Sequence, residues 1–372
     1  MTHPMLEWQE GDVTRSLRWQ SESGLRPPKR VVIADDTLNA DSAFRLASEG
    51  TGLLWRGDFQ NARQLLQALT RRIERKPRKT SAIPRESFNL HRQAQSQRAR
   101  TLGMLLVEVD ADYGIGLRRA PDIRLACNEA YGASSGAFVV PLREILGLIG
   151  AHEWRRKGVE IAELEARIHP WYGVFSPIRG EYLALIAEAP LPARTLAFDI
   201  GTGTGVIAAL LARRGVSEVV ATDCDARALS CARDNLGRLD LLDRVQIVEA
   251  DLFPPGRAPL VVCNPPWIPA RPNAAIERAI YDPDSAMLRG FLTGLKDHLT
   301  PQGEGWLILS DLAEHLELRS REELLQMIAD AGLKVVARMD TRPVHARAGD
   351  ATDPLHEARA REITSLWRLA AA

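Results

Sequence analysis

The sequence predicts an α/β protein: a mostly parallel sheet covered by helices in residues 170–372, behind a separate mixed α+β domain in residues 1–155. Three observations lead there. From about residue 170, short apolar runs alternate with helical stretches. The strand-like run 196–200, apolar but for Asp199, leads straight into Gly201-Thr202-Gly203-Thr204-Gly205, which opens a helix. The next two apolar runs are followed by acidic residues, Asp223 and Asp251. At 372 residues the chain is long enough for two domains of ~100–200 residues each.

In chain order, residues 1–30 read as irregular and 31–34 as a short strand. Residues 41–48 and 61–75 read as helices; in the second, Leu65, Leu66, Leu69 and Ile73 recur at helical spacing and Pro77 stops the pattern. Residues 76–100, polar and basic with two prolines, read as a linker or surface loop, and 101–120 as a β-hairpin around the turn-rich Asp110-Ala111-Asp112-Tyr113-Gly114. Residues 123–127 read as extended, 141–154 as a helix with an apolar stripe, and 158–168 as a short helix. The alternating half follows: helix 182–189, strand 196–200, helix 206–214, strand 218–222, helix 226–236, strands 245–248 and 260–263, a largely helical 274–299, strand 305–310 and helix 319–331. The last two strands, 333–339 and 363–369, have no helix between them, so they are expected to pair antiparallel across a long loop at 341–362.

Lys plus Arg equals Asp plus Glu, so the net charge is zero, yet residues 56–100 carry twelve basic residues against three acidic ones. Such a block attracts RNA or another polyanion, or simply solvates a helix face. Cys127, Cys224, Cys231 and Cys263 form no CxxC pair and have no His at ligand spacing, which argues against a zinc site and a disulfide framework; no metal is expected. The first twenty residues lack a signal pattern, and no apolar run approaches the ~20 residues of a membrane helix. The expected location is the cytoplasm, with no membrane partner.

Three alternating glycines after a buried strand let the backbone turn tightly and approach a ligand closely. Their G-x-G-x-G spacing departs from the G-x-G-x-x-G of dinucleotide sites. Asp199, just before the turn, would repel a pyrophosphate but suits a ligand carrying a positive amine. Asp223, at the end of the next strand, is placed to bond ribose hydroxyls, and Asp251, with Leu252 beside it, to meet a purine amino group. At the end of the fourth strand stands Asn264-Pro265-Pro266-Trp267. The prolines fix the backbone and remove two N–H donors. The neighbouring carbonyls and the Asn264 side-chain carbonyl are then acceptors for one NH₂ group, and Trp267 offers a flat face to its parent amide or ring. Such a site works by positioning and electrostatic stabilisation, without a covalent enzyme intermediate.

Residues 196–267 resemble the class I S-adenosylmethionine-dependent methyltransferases, which implies a Rossmann-like seven-stranded sheet and S-adenosyl-L-methionine as cofactor. By that resemblance Asp199, Gly201, Gly203 and Gly205 face the methionine part, Asp223 the ribose and Asp251 the adenine side. The tetrapeptide at 264–267 is similar to the Asn/Asp-Pro-Pro-aromatic signature of enzymes that methylate planar nitrogens: the release-factor glutamine methyltransferases (the PrmC, or HemK, family), the adenine amino methyltransferases of DNA and RNA, and some ribosomal RNA guanine methyltransferases. Trp267 stands where Tyr or Phe is usual. The stretch Tyr281-Asp282-Pro283-Asp284-Ser285-Ala286 is similar to the glutamine family; the run after it, 287–292, has one glycine where that family has several. Upstream, Phe175-Ser176-Pro177-Ile178-Arg179-Gly180-Glu181 stands where these families place a cofactor-contacting loop, so that Arg179 would meet the methionine carboxylate.

The implied activity is N-methylation of a planar amide or amino nitrogen, with the acceptor on a protein glutamine or a nucleic-acid base, in a ribosomal or translation-factor partner. Residues 1–155 would recognise the substrate. The alternatives are an adenine or guanine amino methyltransferase of RNA or DNA, a non-catalytic S-adenosylmethionine-binding module, and an NAD-dependent dehydrogenase, against which the glycine spacing and the tetrapeptide argue. His345 and His356, in the late loop, are candidates for substrate contact or plain solvated residues.

Overall fold

The computed structural model describes residues 4–75, 79, 81–177, 180–272, 275–343 and 353–372. The chain divides into two compact units: residues 1–80, 89–153 and 273–275 in one, residues 81–88, 154–272 and 276–372 in the other.

The first unit is built on a six-stranded sheet. Its elements are β1 (Met5–Glu10), β2 (Val13–Trp19), β3 (Arg30–Ala34), α1 (Ala40–Ser48), β4 (Thr51–Trp55), α2 (Phe59–Glu74), α3 (Pro84–Leu102), β5 (Leu105–Val109), α4 (Arg124–Tyr131), β6 (Phe138–Pro141) and α5 (Leu142–Lys157); α3 and α5 each run on into the other unit. The strand order is β1-β2-β6-β5-β4-β3. Four sequence expectations are corrected here. Residues 5–19 are an antiparallel hairpin rather than irregular chain; β1 buries only Leu6 and Trp8, so its pattern is mostly polar. The proposed linker is largely α3, a helix with Pro84 at its first position and little apolar face to betray it. The hairpin expected at 101–120 does not form: β5 pairs in parallel with β4 and antiparallel with β6, which lies beyond α4. Residues 124–131 are therefore helix where an extended piece was expected. Both α1 and α2 form as expected, and Asp58 caps α2 by accepting from Gln60 N at 2.8 Å.

The second unit starts with a hairpin, β7 (Val159–Ile161) and β8 (Ala166–Ile168), where a short helix was expected. Glu165 takes a left-handed φ of 48° to make its turn. Next come α6 (Glu181–Glu188), β9 (Leu196–Ile200), α7 (Val206–Arg213), β10 (Glu218–Asp223), α8 (Ala226–Arg238), β11 (Val245–Glu249) and β12 (Ala258–Cys263). The chain ends with α9 (Ala286–His298), β13 (Leu299–Ser310), α10 (Leu312–His315), α11 (Arg321–Asp330), β14 (Leu333–Thr341), α12 (His356–Arg361) and β15 (Thr364–Ala371). The seven-stranded sheet has the order β11-β10-β9-β12-β13-β15-β14. All neighbours are parallel except β15, which runs antiparallel to both β13 and β14, as expected, although the connection from β14 to β15 is not helix-free. Two apolar layers flank this sheet, one around Leu210, Leu211 and Trp306, the other around Phe198, Phe291 and Leu295. A side chain such as Phe198, 2% exposed, contributes ~2–3 kcal/mol by leaving water. The stretch 274–299 is only partly helical: Asp284 and Ser285 both sit at φ 55°, breaking the chain before α9. The expected late loop contains α12.

The fold positions a site at β9. Its neighbours β10 and β12 lie on opposite sides and their connections run in opposite directions. Open α/β sheets bind ligands at such a reversal, beyond the carboxyl ends of the strands.

Candidate active site

Register sets the spacing of the two motifs. Ile200 pairs with Cys263 across β9 and β12, so the residues that follow, Gly201 and Asn264, leave the sheet side by side, about one strand spacing (~4.8 Å) apart. On the other flank Thr222 pairs with Ile200, which brings Asp223 beside the glycine turn.

Gly201, Gly203 and Gly205 have φ of 71°, 54° and 80°, all in the left-handed region where a side chain is strained. A Cβ on Gly201 would also stand 2.7 Å from Met287 Cε, whereas one on Gly203 would meet nothing within 4 Å. The turn is anchored from both sides. Thr202 N donates to Thr222 O at 2.8 Å, and Asn235 Nδ2 of α8 donates to Thr204 O at 3.0 Å.

Asp199 is fully buried. Its Oδ2 accepts from Thr202 Oγ1 at 2.6 Å and from Ala208 N at 3.0 Å. Its Oδ1 has no partner among the described residues. Burial pushes this carboxyl up to about 7, the two hydrogen bonds opposing and the nearby Asp223 charge adding to the rise. A buried oxygen without a partner is costly, and an incoming cation would satisfy it. Asp223 is half-buried; its Oδ2 accepts from Gly203 N and its Oδ1 from Asp225 N, both at 3.0 Å. Burial raises its pKa too. Asp251 lies two residues beyond β11 and is exposed. Leu252 has φ 72°, uncommon for a non-glycine residue, and its carbonyl accepts from Thr222 Oγ1 at 2.6 Å.

At the reactive end Pro265 is buried, while Asn264, Pro266 and Trp267 are half-buried. The sequence reading makes Asn264 an acceptor and Trp267 a flat face; the structure adds a bond between them, Trp267 Nε1 donating to Asn264 Oδ1 at 2.8 Å, which occupies one of the two lone pairs of that oxygen. The indole also packs against both core layers and a third cluster around Ile268, Leu312 and Leu316.

Two residues that the sequence did not single out, Tyr182 and Arg319, and one from the stretch 281–286, Asp282, support the candidate site. Tyr182 of α6, 2% exposed, hydrogen-bonds Asn264 and feels the charge of Asp199; burial raises its pKa, so its hydroxyl stays protonated. It is the one polar-tipped side chain between the terminal Glu181 and Glu188 of an otherwise apolar helix, the one visible signal. Asp282, 5% exposed, accepts from Met287 N and Leu288 N at 3.0 and 3.1 Å, fixing the start of α9 and thereby Met287 against Gly201. Arg319 is 5% exposed; its Nη1 donates to Ser285 Oγ at 3.3 Å and its Nη2 to the Trp267 carbonyl at 3.5 Å. Cys263 is buried beside the Asp199 and Asp282 carboxylates, and burial lifts its thiol well above its usual range, which suits packing and no nucleophilic role.

Arg179 and His345 lie outside the described residues. His356 opens α12, whose Leu355 and Ala358 belong to the cluster that packs on Trp267. Among the described residues, no group of three or more His, Cys, Asp or Glu could hold a metal, and no helix is long and apolar enough to cross a membrane. All four cysteines are free thiols.

Comparison with known proteins agrees with this geometry. Residues 167–328 match the methyltransferase small domain family. The tRNA1(Val) (adenine(37)-N6)-methyltransferase of Shewanella loihica is 26% identical over 175 residues, 44% of this chain and 69% of the relative. The release factor glutamine methyltransferase of Thermosynechococcus vestitus is 29% identical over 193 residues, 47% of this chain and 62% of the relative. That of Cereibacter sphaeroides is 34% identical over 139 residues, 34% of this chain and 50% of the relative. The chain thus spans about half to two thirds of the length of these relatives. With the reversal at β9, the glycine turn and the tetrapeptide in adjacent register, residues 167–328 of this chain form a methyltransferase small domain of the class I S-adenosylmethionine-dependent type.

Proposed function

We propose that this chain is an N-methyltransferase that transfers a methyl group from S-adenosyl-L-methionine to a planar amide or amino nitrogen, on a protein glutamine or a nucleic-acid base. The observation that carries the reading is the register that sets Asn264 beside Gly201. The relatives point the same way, since they are named for glutamine and for adenine N6 methylation.

The residues present fit the cofactor. The partnerless buried Asp199 Oδ1 suits its ammonium group, and the open space over Gly203 admits a ligand close to the backbone. Asp223 would hold the ribose hydroxyls, with Gly201 and Gly205 shaping the turn; Asp251 and Leu252 would border the adenine. Bound there, S-adenosylmethionine supplies an electrophilic methyl group. Asn264 Oδ1 retains one lone pair for the acceptor NH₂, and the backbone carbonyl next to Pro265 supplies the second acceptor. Trp267 and Tyr182 hold the Asn264 amide in one orientation, so that no reorganisation is needed as the nitrogen attacks. Trp267 and Pro266 present the half-buried surface against which a planar acceptor stacks. The first unit would recognise the substrate, and the reaction would take place in the cytoplasm, where translation factors and RNA are found.

The test is methyl transfer from labelled S-adenosylmethionine into an extract lacking the endogenous enzyme, with products divided by nuclease and by protease. Label in either pool supports the reading. No label in either pool, with cofactor binding demonstrated, overturns it.

A further inference from the structure

Between Glu74 and Glu108 the chain carries eight Arg or Lys and one carboxylate, Glu86; from Ser87 to Val107 there is none. The proposed site uses none of these residues. The structure turns this composition into a surface. On α2, Arg63, Gln67, Arg71 and Arg75 follow one another at four-residue intervals, so they share one face, and all four are exposed. On α3, Asn89, Gln93, Gln97 and Arg100 form a second exposed stripe at helical spacing. Arg98 Nη2 of α3 donates to Glu74 Oε1 of α2 at 3.2 Å, which ties the two helices together. Lys79 between them is exposed.

Part of the charge has a structural use. Arg72 bonds Asp41 Oδ1 at 2.6 Å, and cations in the last turn of α2 complement its dipole. That does not account for the rest. Arg71 and Arg75 stand four residues apart, where like charges destabilise a helix, and both are exposed. A face kept for solubility alone mixes signs. Apart from Glu74, which pairs with Arg98, and Glu86 in the first turn of α3, this one combines guanidinium groups with a row of side-chain amides and carries no carboxylate. Guanidinium groups pair with phosphate oxygens, and Asn and Gln bond phosphate and sugar, the two components of a nucleic-acid backbone.

We infer that the exposed face of α2 and α3 is a docking surface for the sugar–phosphate backbone of a nucleic acid. This rests on the methyltransferase reading and narrows its acceptor to a base or to a protein bound on nucleic acid.

The test uses the full chain and two fluorescein-labelled hairpins of about 24 nucleotides, one RNA and one DNA of the same sequence, followed by anisotropy from about 50 to 300 mM KCl. Five exposed cations (Arg63, Arg71, Arg75, Lys79 and Arg100) set an expected slope of log affinity against log salt of about −4. The variant Arg71→Gln/Arg75→Gln/Arg100→Gln is expected to lose about 2 to 3 from the magnitude of that slope and at least ~10-fold in affinity at about 100 mM KCl. Its S-adenosylmethionine affinity by calorimetry should stay within about twofold, which also shows that it is folded. Either hairpin binding in this way supports the surface, and the tighter of the two names the source of the backbone. The inference is overturned if neither hairpin binds at the lowest salt, if the triple variant behaves like the parent, or if poly-glutamate competes as well as the hairpins, which would point to an acidic protein instead. Methyl transfer to protein without hairpin binding overturns the surface and leaves the enzyme reading standing. Hairpin binding without any cofactor binding does the reverse.

Discussion

Asp199 gives the sharpest test of the cofactor end. Its carboxyl is pushed up to about 7 because it is buried, and only one of its two oxygens is hydrogen-bonded. A ligand ammonium stabilises the ionised form, so binding must remove the proton. If only the ionised form binds, the apparent dissociation constant scales as the inverse of the ionised fraction. With a pKa of about 7, that fraction is roughly three-quarters at pH 7.5 and about 3% at pH 5.5. S-adenosylmethionine should therefore bind ~25-fold more weakly at pH 5.5 than at pH 7.5, a window in which an α-amino group of pKa ~7.7–8.0 stays mostly charged. Calorimetry in buffers of different ionisation enthalpy would measure both the affinity and the proton released. In Asp199→Asn the affinity should be weaker at pH 7.5 and nearly flat across the window. Flat affinity in the parent protein, or the same slope in the variant, would refute the role given to this carboxylate. A second consequence follows from linkage. A carboxyl raised above its unfolded value of 3.8 stabilises the ligand-free fold as the protonated form. That contribution is complete below pH ~4 and is lost as pH rises through about 7, on the order of 4 kcal/mol in all. Thermal melts of the ligand-free protein should show that loss, and Asp199→Asn should not.

The other predictions concern single contacts. Asn264→Ala should lower kcat by ~10²–10³, the usual effect of removing one preorganised hydrogen-bonding group, while cofactor affinity survives; loss of cofactor binding instead would sink its assignment to the acceptor. Trp267→Phe keeps a ring but removes the N–H that bonds Asn264 Oδ1, so kcat should fall with cofactor affinity unchanged, and stability should drop by ~1 kcal/mol; unchanged kcat would show that the bond does not position Asn264. Asp223→Ala removes acceptors for Gly203 N and Asp225 N and should weaken cofactor binding at least ~10-fold, to be checked by calorimetry. Gly201→Ala should cost ~1–2 kcal/mol from the left-handed backbone alone, and more from the Met287 clash; a denaturation midpoint equal to the parent's would contradict the left-handed φ of 71° at this turn.

The carboxy-terminal half was legible because its physics is local and repetitive. A strand buried on both faces reads as a near-continuous apolar run, so β12, and β9 but for Asp199, announce themselves, and a turn needing three positive φ angles favours glycine. The antiparallel β14–β15 pair was also expected, but the helix α12 inside its connection was not. The amino-terminal half lacked such signals. Its hairpin β1–β2 is mostly polar, α3 has almost no apolar stripe, and β5 finds its antiparallel partner only after α4 intervenes.

At the site, residue types and spacing placed the candidate motifs at neighbouring strand ends: Asp199 and the glycines on one, Asp223 on the next, Asn264 to Trp267 on a third. Only the tertiary structure decided how these groups are poised. The adjacent register of β9 and β12 set Gly201 beside Asn264. The burial that left one Asp199 oxygen without a partner raised its pKa. The Trp267–Asn264 bond, the contact from Tyr182, and the support from Asp282 and Arg319 complete that arrangement. Local sequence encodes backbone conformation and strand ends, but desolvation and hydrogen-bond partners come from residues distant in the chain, and those exist only once the sheet has formed.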